Sequence, residues 1–335
     1  MRYIIYGAGA IGGVVGGRLF AAGKDTVLIC RGRHLEAIRA RGLLLREPTG
    51  DRTLAVPAVG RPAELQFSDQ DIVILTMKAQ DTGAALDDLE AAGGRDVAIV
   101  CCQNGVANER IAARRFARVY AMLVALPATF MEPGTVLGWS APIAGVLDLG
   151  CFPRGSDALC EQIAADLGDA GFICRPDPAV MRLKYAKLLT NLGNGFDALS
   201  TLSRADAPFR AIMHALTQEA IACFDAAGIA YAPRDEYHAH VSRHTSWGEI
   251  PGAERGGSST WQSLSKGSSR LEVDYLNGEI VLLGRLHGVP TPYNAAVRRL
   301  AQQLAAEGGK PGDYDAADVE ALAAQLGATA SAPAD

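Results

Sequence analysis

The sequence predicts an α/β fold, with an N-terminal parallel-sheet domain followed by a mainly α-helical C-terminal domain. Three observations lead there. Short apolar runs recur through the first half ("RYIIYG", "DTVLICR", "QDIVILTMK", "DVAIVCCQNG") with helical segments between them. Strands apolar on both faces belong in a parallel sheet covered by helices on each side. The first run opens into the glycine-rich "GAGAIGGVVGGRLFAAG". Beyond "RPDPAV" helical periodicity dominates.

Taken in order, "RYIIYG" is a strand, the glycine-rich stretch a turn running into a helix, "DTVLICR" a second strand and "HLEAIRARG" a helix. "GLLLREPTGDRTLAVPAVG" reads as two strands around a Pro-Thr-Gly-Asp turn. "QDIVILTMK" is a buried strand, "AQDTGAALDDLEAAGG" a helix and "DVAIVCCQNG" another buried strand. Residues 117–152 look strand-like and are punctuated by Gly and Pro; "SDALCEQIAADLGDAG" follows as a helix and "FICRPDP" as a strand. Helices are then expected over 179–200, 206–228, 233–243, 258–266, 269–287 and 291–306. The expected domains are 1–176, 177–315 and a C-terminal helix with a frayed tail over 316–335.

The 335 residues are 49% hydrophobic and 21% charged, enough apolar material for two cores. The net charge of −5 argues against general nucleic-acid binding, which needs a basic footprint. Seven cysteines show no CxxC pair and no zinc spacing with histidine, and read as reduced, mostly buried thiols; no metal is expected. "MRYIIYGAGAIGG" has no leader pattern and no run is long enough to span a bilayer, so the expectation is a cytoplasmic protein with no membrane partner.

Gly7, Gly9 and Gly12 form G-x-G-x-x-G after an apolar strand and at the start of a helix, the context of a Rossmann-type dinucleotide site. The first glycine allows the tight turn, the second close approach of the backbone to a pyrophosphate, and the third close helix–strand packing. With Ala10 and Ile11, this turn presents helix N-terminal N–H groups to phosphate. At the end of the second strand, NAD-binding chains usually carry a carboxylate for the ribose 2′-hydroxyl. Here "LICRGRH" puts Arg31 at that position and Arg33 just after, and a guanidinium matches a 2′-phosphate. The expected cofactor is therefore NADP(H), with solvated loop arginines as the plain alternative. Lys78 and Asn104 end two further strands, on the side of the sheet where ligands bind. They read equally as a surface charge and an Asx turn.

In "KYAKLLTNLGNG" (184–195), a regular helix puts Lys187, Asn191 and Asn194 on one stripe. Alone, this is an ordinary solvated face. Asparagine is, however, a poor helix-interior residue. "YLNGEIVLLGRLHG" reads as an amphipathic helix, for the core or for a homodimer surface. The six histidines suggest no metal site and are read as non-catalytic.

In family order, "GAGAIG", "TMKAQDT" (76–82), "QNGV" (103–106), "KLLTN" (187–191), "SSTWQSL" (258–264) and "LEVDYLNGEIVLLGRLHGVPTP" (271–292) cover nearly the whole chain. On these motifs the sequence resembles the ketopantoate reductase (2-dehydropantoate 2-reductase) family. The resemblance implies NADPH-dependent reduction of a small 2-oxo acid, typically ketopantoate to D-pantoate in pantothenate biosynthesis. By motif, it implies Lys187 as the catalytic lysine, Asn191 on the substrate, Ser259 at the substrate carboxylate, Glu272 near the lysine and the substrate hydroxyl, and Lys78 and Asn104 beside the nicotinamide. Asn194 joins the substrate amides. Ser259 also reads as a helix N-cap, and Glu272 as a surface carboxylate. Hydride transfer to a ketone leaves a developing alkoxide, which a lysine ammonium can stabilise and protonate. Three departures fall on the substrate side. Gly195 stands where the family repeats asparagine, the Ser259–Glu272 segment is one residue longer, and Ala205 stands where a further substrate asparagine is expected.

Overall fold

The computed structural model describes residues 1–254 and 256–330, which form two compact units. The first holds 1–184 and 233–254, the second 185–232 and the described residues from 256 onward.

The first unit opens with β1 (Arg2–Tyr6), α1 (Ala10–Ala21), β2 (Thr26–Ile29) and α2 (Gly32–Arg41). The hairpin β3 (Leu43–Glu47) and β4 (Gly50–Leu54) follows, then β5 (Ala58–Val59), β6 (Asp71–Leu75), α3 (Thr82–Ala91), β7 (Ala98–Cys101), α4 (Asn108–Ala112) and β8 (Val119–Met122). After β9 (Ala128–Phe130), β10 (Thr135–Gly138), β11 (Leu149–Cys151) and α5 (Ala158–Asp169) comes α6 (Val180–Asn191), whose last residues belong to the second unit. A seven-stranded sheet runs β11-β8-β7-β6-β1-β2-β5, parallel except for β11. Every residue of β2, β6, β7 and β8 is buried, which accounts for their unbroken apolar runs. Each fully buried Val, Leu or Ile contributes about 1.5–3 kcal/mol.

In the second sheet, β4-β3-β10-β9, the hairpin is joined by two strands of the 117–152 stretch, a pairing the sequence did not announce. Helix α1 packs on both sheets. A Cβ on Gly16 would meet Leu28 and Ile5 of the large sheet, and one on Gly13 or Gly17 would meet Val136 or Leu43 of the small one. Gly13, Gly16 and Gly17 are therefore packing residues. "FICRPDP" forms only single bridges, Ile173 to Val146 and Pro176 to Leu149, instead of the expected strand.

The second unit begins with the end of α6, then α7 (Gly193–Leu199) and α8 (Ala207–Ala227). The helix expected over 179–200 is thus divided at Leu192, whose carbonyl accepts from Asn277 Nδ2 at 3.1 Å. The segment expected to be the third helix of the second domain, α9 (Arg234–Ser242), returns to the first unit. There Asp148 accepts from His240 Nε2, and Gly248 N–H donates to the Trp139 carbonyl. A sequence boundary drawn at 176/177 misses this return because α9 is helical like its neighbours. The second unit resumes with α10 (Ser259–Ser265), a 3-10 turn at Glu272–Tyr275, α11 (Asn277–His287), α12 (Pro292–Ala306) and α13 (Ala316–Ala330). The expected helix over 269–287 is this turn followed by α11.

A buried polar network ties the second unit together. Asn277 Nδ2 also donates to Asn294 Oδ1 at 3.1 Å, and Asn294 Nδ2 to Glu219 Oε2 at 2.7 Å. The Glu219 carboxylate accepts the Tyr293 and Asn294 N–H groups at the start of α12, satisfying donors that a helix N-terminus leaves open. Asn277, within the "LEVDYLNGE" motif, is thereby an architectural residue. Among the described residues no helix is long and apolar enough to cross a membrane.

Candidate active site

The large sheet places the loops after β1 and β6 side by side, at the point where the strand order turns back. Ligands of open α/β sheets bind at such a switch point. Gly7 has φ +102°, and a Cβ on it would lie 2.8 Å from the Met77 nitrogen. A Cβ on Gly12 would lie 2.4 Å from both the Gly7 carbonyl and Thr76 Oγ1. Thr76 Oγ1 donates to that same carbonyl at 2.8 Å, locking the two loops together. Gly9 differs, since a Cβ on it would meet no protein atom within 4 Å. Protein packing does not require glycine there, and open space above a backbone is what an approaching pyrophosphate needs. Gly9 caps α1 with no side-chain bond, and the first turn, starting at Ala10 and Ile11, has no acidic residue. The helix N-terminus is therefore left for an anion.

Arg31 lies on the other side of β1, at the N-cap of α2, and Arg33 is in the first turn of that helix; both are exposed. Burial pushes the Tyr6 phenol up to about 12, with Asp88 adding to the rise and the Arg31 guanidinium opposing it. Lys78 and Asn104 are half-buried beyond the ends of β6 and β7. Asn104 makes no Asx turn through its Oδ1, which is buried and accepts no hydrogen bond among the described residues. An orphaned acceptor of this kind suits a ligand donor. Opened glycine turn, uncapped helix, flanking arginines and unmet acceptor together fit a dinucleotide.

Sequence reading missed His34, which braces the glycine loop. Gly134 N–H donates to Nδ1 at 2.9 Å, so Nε2 donates to the Ala8 carbonyl at 2.7 Å, and the ring meets Phe130 edge-on. Both bonds are made only by the neutral ring. Burial lowers the His34 pKa, against the opposing effect of the Ala8 bond. With the folded value below the unfolded one of about 6.5, this stabilisation is present above that pH and is lost as pH falls toward the folded value. His34→Leu should be less stable than the parent by about 1–2 kcal/mol above neutrality. That gap should narrow on acidification, as read by denaturant melts across pH; a constant gap would refute the assignment.

In the second unit the structure brings Asn194 and Ser259 together, with Asn194 Nδ2 3.5 Å from Ser259 Oγ. The N-cap of α10 is Ser258 and not Ser259: Ser258 Oγ accepts from Trp261 N–H at 3.3 Å and donates to the Asn194 carbonyl at 3.1 Å. Ser259 is free of the capping duty that sequence reading gave it. Asn191 and Glu272 are buried and Lys187 is half-buried, so Glu272 is not the surface carboxylate of the alternative reading. Gly195 has no room for asparagine, because a Cβ on it would lie 2.7 Å from Val297 Cγ1.

Sequence reading also missed Lys184 and Glu109, 3% and 0% exposed, which pair at 2.7 Å. Three backbone carbonyls accept from the same ammonium, those of Gln103 and Met122 at 3.0 Å and of Cys101 at 3.5 Å. Ligand atoms of Cys151, Asp157 and Cys160 come within 4.8 Å of one another, which sequence spacing did not suggest. Asp157 is already engaged there, capping α5 through Cys160 N–H and accepting from Tyr120 Oη.

Fold and nucleotide loop together define a dinucleotide-dependent oxidoreductase. Residues 3–153 match the family described as Ketopantoate reductase PanE/ApbA, and 179–305 match its C-terminal counterpart. The chain belongs to the ketopantoate reductase family. It is 26% identical to a 2-dehydropantoate 2-reductase of Pyrococcus horikoshii, over 92% of this chain and 99% of the relative. The crystal structure of a PanE/ApbA family ketopantoate reductase from Ralstonia eutropha is similar at TM-score 0.76 and 27% identity, covering 92% of this chain and 99% of that one. A D-mandelate dehydrogenase solved with NADH and anilino(oxo)acetate is similar at TM-score 0.79 and 23% identity, covering 92% and 99%. At that identity the likeness is one of fold.

Proposed function

We propose that the chain reduces 2-dehydropantoate to pantoate with NADPH, by hydride transfer in which Lys187 is the general acid. The observation that carries this reading is the match of both halves of the chain to the family, supported by relatives named for that reaction and covered over 99% of their length. When bound, the nicotinamide supplies the hydride. Gly7, Gly9, Ala10, Ile11 and Gly12 hold the pyrophosphate at the start of α1, and Arg31 receives the 2′-phosphate. Lys78 and Asn104 serve the nicotinamide side. Asn191, Asn194 and Ser259 bind the substrate as neutral groups that do not compete for its proton. Glu272 keeps Lys187 charged and oriented.

One observation favours a second reading, in which another 2-oxo acid is the substrate. Position 195 has no space for the amide the family repeats there, so the amide set on the substrate side differs. Following NADPH absorbance with 2-dehydropantoate and a panel of 2-oxo acids separates the two. Turnover of 2-dehydropantoate far above the rest supports the first, and preference for another acid the second. Cofactor choice has its own test. Arg31→Ala with Arg33→Ala should raise KM for NADPH about 10–100-fold, the worth of charge-assisted bonds to a phosphate, and leave KM for NADH nearly unchanged. Equal losses for both cofactors would remove the arginines from the 2′-phosphate.

A further inference from the structure

The buried pair of Lys184 and Glu109 is a built feature that the proposed reaction does not use. We propose that Lys184 is a positioning residue for the nicotinamide half of the cofactor site, acting through the backbone of the loop that carries Asn104. This rests on the reductase reading above.

The strand order supplies the direction. The pyrophosphate loop follows β1, Arg31 follows β2, and β6, β7 and β8 lie on the opposite side of β1. A dinucleotide laid across this crevice with its adenosine end toward β2 must extend its nicotinamide end toward β6 and β7. Lys184 acts only on that side. Its ammonium holds the carbonyls of Cys101 and Gln103, at and just beyond the end of β7, and of Met122 at the end of β8. Asn104 is the next residue after Gln103.

The clamp continues through neutral groups. Gln103 Nε2 donates to the Met77 carbonyl and to Thr82 Oγ1, both at 2.8 Å. Thr82 Oγ1 donates to Asn108 Oδ1 at 2.8 Å, and Asn108 Nδ2 reaches the Asn104 carbonyl at 3.3 Å. The loops bearing Lys78 and Asn104 are thus fixed to each other and to one ammonium. Packing alone does not call for a charge here, since well-packed apolar residues of similar volume often serve stability as well as a buried ion pair. What the ammonium adds is three donors aimed at three carbonyls, a geometric constraint an apolar side chain lacks.

The test compares full-length wild type with Lys184→Met/Glu109→Gln, which removes both charges together, and with Lys184→Arg, which keeps the charge but replaces the compact three-donor head with a planar fork. Dissociation constants are measured for NADPH and for 2′,5′-ADP, which lacks the nicotinamide half. Both variants should bind 2′,5′-ADP within about twofold of wild type and lose about tenfold or more in the ratio of NADPH to 2′,5′-ADP affinity. An unchanged ratio in Lys184→Arg and the paired variant overturns the proposal, as does a parallel fall in both affinities, which marks a merely structural pair. If the paired variant does not fold, the Lys184→Arg ratio decides. Wild type that binds neither probe overturns the reductase reading itself, and the positioning role falls with it.

Discussion

Lys187→Ala should lower kcat by about 10²–10⁴-fold while NADPH affinity stays within a few-fold of the parent, the usual worth of a positioned general acid. The lysine is half-buried near the end of α6, and Asn191 one turn later is buried. In the proposed reaction the carbonyl oxygen gains negative charge during hydride transfer, and the ammonium there would contribute most in the transition state. Removing it should therefore appear in kcat and kcat/KM together. Lys187→Arg should recover only part of the loss, because a guanidinium stabilises the alkoxide but does not give up its proton at neutral pH. Steady-state kinetics with NADPH titrations check both variants. An alanine variant that keeps more than about a tenth of the parent kcat would take Lys187 out of the role.

The second large effect lies in the glycine loop, where two glycines of one motif should behave differently. Gly12→Val places its Cβ 2.4 Å from the Gly7 carbonyl and from Thr76 Oγ1. Both contacts are to atoms of the locked loops, so α1 must withdraw from the sheet. The expected cost is about 3 kcal/mol or more, with NADPH binding lost along with it. Gly9→Ala meets no protein atom within 4 Å, so its stability should change by less than about 1 kcal/mol. NADPH binding should nevertheless weaken about tenfold or more, because in the proposed binding mode the methyl fills space taken by the pyrophosphate. Thermal melts with and without NADPH separate the two variants. A Gly9→Ala protein with unchanged NADPH affinity would show that no ligand lies against that backbone.

The local pattern was enough to place most strands and helices of the first unit along the chain. Apolar runs, the glycine spacing and Arg31 are short-range signals, each read within a few residues, and the corresponding strands, turn and helix form where those signals lie. The motif segments likewise led to the family. The buried polar partners were not legible, because each depends on residues far apart in sequence. Glu109 meets a lysine 75 positions later, His34 bonds a backbone amide 100 positions later, and Asn294 meets a glutamate 75 positions earlier. A lone lysine, histidine or asparagine in a helix carries no mark of such a partner. The return of α9 to the first unit was hidden for the same reason, since a helical period states which face is apolar and not what covers it.

By itself, then, the sequence determined the alternation of strand and helix and the glycine turn that opens α1, because these follow from backbone sterics and side-chain chemistry within one or two turns of chain. Only the tertiary structure decided which glycines face open space and which serve packing, that Ser258 and not Ser259 caps α10, and that an ammonium at position 184 is fully enclosed. Those outcomes are set by close packing between distant segments, where a single methyl group or an unmatched charge is enough to exclude the alternatives.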